Sequence, residues 1–136
     1  MSDALEKTGM MADTGMLVLI WLVQCIIYPA FRAIEADRFE AWHRRYMQTI
    51  SVFVIPLMLI QLTCSAWAAI AHPVPWNVIS MAAVAAAWAV TFCISAPCHQ
   101  KLQRIGKDPA TIERIIRTNW LRTLAWTIAW MAGWAP

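Results

Sequence analysis

Between positions 46 and 100 the chain contains no Asp, Glu, Lys or Arg. A helix that crosses a bilayer needs about 20 largely apolar residues. The charge-free stretch therefore holds two crossings and a short connection, which the turn-rich HPVPWN at 72–77 supplies. Composition points the same way. The chain is 60% hydrophobic and 14% charged, where soluble domains run at about 45–50% and about 25%. Those values exclude a disordered chain, a disulfide-stapled mini-domain and a nucleic-acid reader. At 136 residues the chain forms one domain, 1–136. The expected class is an all-α polytopic membrane protein.

Hydrophobic runs place four spans at about 12–31, 48–71, 77–96 and 117–135, a four-transmembrane-helix bundle. Between the first two, Ala33, Ile34, Phe39, Trp42 and Tyr46 fall on one face of an amphipathic helix, expected to lie in the interface and run into span two. Pro56 should kink span two, and Pro97 should end or kink span three. The alanines of span three permit close helix contact. Asp108 followed by Pro109 reads as an N-cap and first helical residue. No internal repeat of useful strength is visible. The acidic start (Asp3, Glu6, Asp13) is the reverse of a signal peptide's basic region, so span one is expected to be retained.

Orientation follows from the basic residues. Of the 11, all but Lys7 and Arg122 fall in two loops: Arg32, Arg38, Arg44 and Arg45 after span one, and Lys101, Arg104, Lys107, Arg114 and Arg117 after span three. The positive-inside rule puts both loops in the cytoplasm and both termini outside. A bacterial inner membrane suits this pattern. Trp42, Trp76, Trp120 and Trp134 fall near the expected interfaces, whereas Trp21, Trp67, Trp88, Trp126 and Trp130 lie deeper.

Polar side chains within a bilayer are costly and mark function. Asn119, Arg122, Thr123 and Trp126 share one stripe of span four. Arg122 keeps its charge at any ordinary pH, so a ligand, a partner, water or a headgroup must meet it. Gln24 and Tyr28, His43 and Gln48, and Cys98 and His99 are expected at the same cytoplasmic level, so each helix contributes to one candidate pocket. His43 sits in the charged WHRRY run and reads as a solvated or headgroup-facing residue; His99 ranks above it, and His72 reads as a turn residue. Two histidines on different helices could ligate a haem from both faces. Without a CxxC, Cys25, Cys64 and Cys93 read as buried small hydrophobes, with Cys98 the exception. Eight Met form no cluster, and no metal site is expected. Gln61 should face another helix and hydrogen-bond there.

The strings WHRRY leading into FVIPLM and Gln61, then SAPCHQKL with Gly106, then TNWLRTLAWT, together resemble small bacterial four-helix integral membrane proteins of unknown function, related to the anthrone oxygenase-like superfamily. The matched positions are His43, Pro56, Pro97, His99, Asn119, Arg122, Thr123 and Trp126. Relatives commonly carry an acidic residue at the place of Gln61 and a second histidine near Tyr46 or Met47. The resemblance implies at most a cofactor-free oxygenase acting on a hydrophobic aromatic.

Two functional expectations follow. The first is a polar small-molecule or cofactor site at the cytoplasmic end of the bundle, of oxygenase or redox type on a hydrophobic substrate. There His99, His43 and Arg122 would be catalytic, and His99, Asn119, Thr123 and Trp126 would bind the cofactor or the polar part of the ligand, Trp88 flanking its apolar body. The alternative is an accessory or structural subunit of a larger membrane complex. A homo-oligomer suits either. The partners are the lipid bilayer and a hydrophobic small molecule, with no nucleic acid. A transporter ranks third, because four helices are too few to enclose a pathway in one chain.

Overall fold

The computed structural model describes residues 2–135. They form four long helices: α1 (Asp3–Ala33), α2 (Ala36–Ala71), α3 (Pro75–Ile105) and α4 (Pro109–Gly133). Among the described residues there is no strand. Links of two or three residues make consecutive helices antiparallel, and α4 returns beside α1 to close the ring.

Local chemistry sets these boundaries. Pro75 and Pro109 occupy first-turn positions, where a missing N–H costs nothing. Asp108 caps α4 by accepting from the Thr111 backbone N–H and hydroxyl. Gly106 stops α3 at φ 79° and ψ −153°, a conformation that excludes side chains with a Cβ. The basic end is stitched: Arg32 donates to both Glu113 oxygens at 2.6 and 2.8 Å, and Lys107 donates to the carbonyls of Arg32 and Ile34. Lys101 donates to Asp108 at 2.8 Å; that bond, then the one from Thr111, holds the Asp108 carboxyl below its ordinary range.

Two of the expected boundaries shift. α1 begins well before position 12, because residues preceding the apolar run continue the same helix and turn Gly9, Ala12 and Asp13 toward its neighbours. As expected, the amphipathic stretch runs into span two: Ala36–Ala71 is one α-helix with Pro56 inside it. α3 runs on past Pro97 to Ile105.

What lets the chain pass Pro97 is a π turn. Over Thr91–Ser95 the helix widens, and the Ala96 N–H closes on the Thr91 carbonyl five residues back. The same device precedes Pro29: Val23–Ile27 widens, and the Tyr28 N–H closes on the Val23 carbonyl. A proline ring collides with the carbonyl four residues before it. One extra residue per turn moves that carbonyl aside, so each helix continues. The two segments, VQCIIYP and TFCISAP, share the spacing Cys-Ile-x-x-Pro, a correspondence too short to read as a repeat from sequence.

Polarity runs inside-out relative to a soluble bundle. Val52, Phe53, Ile55, Leu59 and Ile60 on α2, and Leu121, Leu124, Ile128 and Met131 on α4, are exposed, while Gln24, His43, Gln61, His99, Asn119, Arg122 and Thr123 are buried. The helices α1, α2 and α3 are long and apolar enough to cross a membrane, consistent with an integral membrane protein. Small residues bring α3 and α4 together: Ala83 and Val84 pack on Ala129, and the Ser80 hydroxyl donates to the Ala129 carbonyl. Two Trp–Thr hydrogen bonds, Trp21 to Thr127 and Trp130 to Thr14, tie α1 to α4.

Candidate functional site

A buried row of hydrogen bonds links three of the helices near the basic end. The His43 Nδ1 lies 3.2 Å from the Gln103 Oε1, the His43 Nε2 lies 3.0 Å from the His99 Nδ1, and the His99 Nε2 lies 2.9 Å from the Tyr28 hydroxyl. An Arg122 guanidinium nitrogen donates to Tyr28 Oη at 3.4 Å, to Ser95 Oγ at 3.4 Å and to Asn119 Oδ1 at 3.2 Å, which brings in α4. Asn119 then donates to Gln24 Oε1 at 2.9 Å, and Gln24 donates to the Ile116 carbonyl. The Thr123 hydroxyl is shared between Gln24 and the Asn119 carbonyl.

The row has a direction. Guanidinium nitrogens only donate, so the Tyr28 oxygen accepts from Arg122 and its own proton is free to go to His99 Nε2. A neutral His99 then carries its proton on Nδ1 and donates to His43 Nε2. A neutral His43 carries its proton on Nδ1 and donates to Gln103 Oε1, an oxygen that can only accept. One tautomer of each ring satisfies every contact. Aromatic packing holds the rings in place: His43 stacks on Phe39 (centroids 5.5 Å, 13°) and on His99 (5.2 Å, 25°), and Phe31 sits edge-on to both imidazoles.

Arg122 is the anomaly of the site. It is 6% exposed, its Nε–H is buried without a partner, and no carboxylate among the described residues pairs with it. Its charge lies 4.8 Å over the ring of Trp126, which is fully buried. Trp126 carries the line onward: its indole N–H donates to Gln61 Oε1 at 2.8 Å, and the Gln61 amide donates to Asp13 Oδ1 at 2.6 Å. An indole only donates, so Gln61 must present its oxygen to Trp126 and its NH2 to Asp13. The polar line thus runs from Gln103 to Asp13.

Gln24, Tyr28, His43, His99, Asn119, Arg122 and Thr123 are therefore brought together as one cluster, with Trp126 against it. His43 is not solvated: its ring is fully buried, because the WHRRY segment turns that one residue of five inward between Phe39 and His99. Gln48 is exposed and outside the network. His72 ends α2 in the turn. Cys64 is buried as expected and Cys98 is buried too, whereas Cys25 and Cys93 face outward against the expectation. Of the deeper tryptophans only Trp126 is fully enclosed; Trp21 and Trp67 are exposed, and Trp88 is partly buried with an unpartnered indole nitrogen.

A haem shared by the two histidines does not fit. Ligation from both faces needs the nitrogens roughly 4 Å apart with the macrocycle between them. Here they are 3.0 Å apart, the rings are stacked, and all four ring nitrogens are engaged.

Sequence reasoning missed Gln103, Ser95 and Asp13. Asp13 read as part of an acidic tail; the signal was its spacing with Gly9, Ala12, Met16 and Ile20, which puts it on the inward stripe of α1. Comparison with family models, with curated proteins and with solved structures finds no match to this chain.

Proposed function

We propose that the chain is a four-span protein of a bacterial inner membrane, with both termini outside, whose cluster at the cytoplasmic end binds a lipophilic phenol or enol and moves a proton from it. Support for a fourth span is the sidedness of α4: Asn119, Arg122 and Thr123, which lower its hydropathy, are spent on the buried network, and its outer face is Leu121, Leu124, Ile128 and Met131. The nine basic loop residues set the orientation.

One observation carries the functional reading: a buried guanidinium with an unpartnered N–H stands at the head of a one-way row of proton carriers. A developing oxyanion would be met by the Arg122 Nε–H, which nothing among the described residues engages. The substrate's proton passes to Tyr28 as Tyr28 gives its own to His99, His99 to His43, and His43 releases one beside the half-buried Gln103. For an anthrone, the resulting enolate reacts with O2; CH2 becomes C=O and water leaves, so no external reductant is needed. The family resemblance points to that substrate class.

The test is O2 uptake by the full chain in lipid nanodiscs with a hydroxylated anthrone. Wild type should consume O2 in step with anthrone, and Arg122→Gln and His99→Gln should each lose at least about 100-fold. Equal rates in all three, or no uptake by wild type, overturn the reading. Recovery from mild detergent as a stoichiometric part of a larger assembly, with no uptake, supports the accessory-subunit alternative.

A further inference from the structure

The other end of the polar line opens into a cavity of about 340 Å3 between the start of α1, the end of α2, the α2–α3 turn and the end of α4. Asp13 lies on its wall, 7% exposed. One carboxylate oxygen, Oδ1, accepts from Gln61. The other, Oδ2, has no hydrogen-bond partner among the described residues; it lies against the bare face of Gly133, where an added Cβ would sit 2.9 Å from it. No Lys or Arg lines the cavity; His72 is on its wall, and among the described residues no basic side chain pairs with Asp13. The walls include Trp67 and Trp76, with Glu6 at the rim.

A buried carboxylate that pairs with no basic side chain is costly, and it is relieved by a proton or by a cation that enters the cavity. Gln61 does not neutralise it but fixes it: with its own oxygen held by Trp126, the amide can only donate, and it locks Asp13 Oδ1 while Oδ2 faces the space. Indole faces attract cations and cover apolar surface at the same time. From the open oxygen, the aromatic walls and a volume of about 340 Å3, we infer that this cavity binds a small organic monocation, an ammonium group on an aromatic or alkyl body. Its N–H meets Asp13 Oδ2 and its body lies between Trp67 and Trp76. The site is separate from the Arg122 cluster and has the opposite charge preference.

The experiment is calorimetric titration of the full chain in nanodiscs with phenethylammonium, and with uncharged 2-phenylethanol as its counterpart. Wild type should bind the ammonium at least tenfold tighter than the alcohol. Asp13→Asn should abolish that preference. Gly133→Ala, which keeps the charge and crowds Oδ2, should weaken ammonium binding at least fivefold and leave the melting temperature of the chain close to wild type. Glu6→Gln, at the rim, should change affinity less than threefold. Equal affinity for amine and alcohol, or an Asp13→Asn chain that melts normally and still prefers the amine, overturns the proposal. Because the readout is amine binding, it stands or falls independently of O2 uptake.

Discussion

Around His43 and His99 the side chains take up one another's hydrogen-bonding groups, rings fill the space, and the buried exception is a cationic N–H on Arg122. Around Asp13 and Gln61 the exception is an anionic oxygen, and it faces a cavity. Both regions are built from polar groups that the surroundings would otherwise penalise, yet one is closed and the other hollow. A filled row of donors and acceptors suits the passage of protons, which need no room, so the phenol or enol proposed above has to enter against the Arg122 end and not within the row. An open carboxylate beside aromatic walls suits a molecule, which does. Trp126 is the hinge between them, its face on Arg122 and its edge on Gln61.

That makes Trp126 the place to break the comparison. Trp126→Ala should cost about 4 kcal/mol, since it opens a void and strips both neighbours at once, and both regions should fail together in a denaturant titration in mixed micelles. Trp126→Phe keeps a ring beside Arg122 and removes only the indole N–H. It should cost about 1 kcal/mol, loosen amine binding and spare O2 uptake; equal damage to both would show that the regions are one. Next in size, His99→Ala leaves Tyr28 and His43 without partners and should cost about 3 kcal/mol, with amine binding by the folded fraction unchanged in calorimetry. Tyr28→Phe should destabilise by only about 1 kcal/mol while lowering O2 uptake about 100-fold, because the ring stays and the carrier goes.

The smallest effect lies outside both regions. Lys101 and Thr111 depress the Asp108 carboxyl below its ordinary 3.8. A depressed folded-state value means stability that is present above 3.8 and lost as pH falls through the lower folded value. Asp108→Asn keeps the cap and cannot ionise, so its melting temperature should fall less than that of wild type between about pH 5 and pH 2. Neither amine binding nor O2 uptake should change at neutral pH.

How much of this was legible depended on whether a signal was local. The absence of charge from 46 to 100 and the clustering of basic residues were enough for a helical membrane bundle, and the Asn119–Arg122–Thr123–Trp126 stripe marked the inward face of α4. His43 was misread because its neighbours Arg44 and Arg45 are exposed, and sequence proximity says nothing of which residue in a turn points inward. Asp13 was hidden for a different reason: the edge of an apolar run is not the edge of a helix. The direct His43–His99 contact brings together residues 56 positions apart and rests on two helices meeting, which no spacing along one of them encodes.

The paired π turns carry a consequence for the gene as well as the protein. Each is one residue more than a regular helix would hold, inserted just before Tyr28 and just before His99. Cys25 and Cys93 face outward and belong to neither polar region. A three-nucleotide deletion removing either would leave every side chain named above in place on paper. The helix would then close a regular turn with Tyr28 or His99 near its present place, but the carbonyl now four residues before Pro29 or Pro97 would meet the proline ring. In this chain the number of residues between Gln24 and Tyr28, and between Ser95 and its preceding turn, matters as much as their identity.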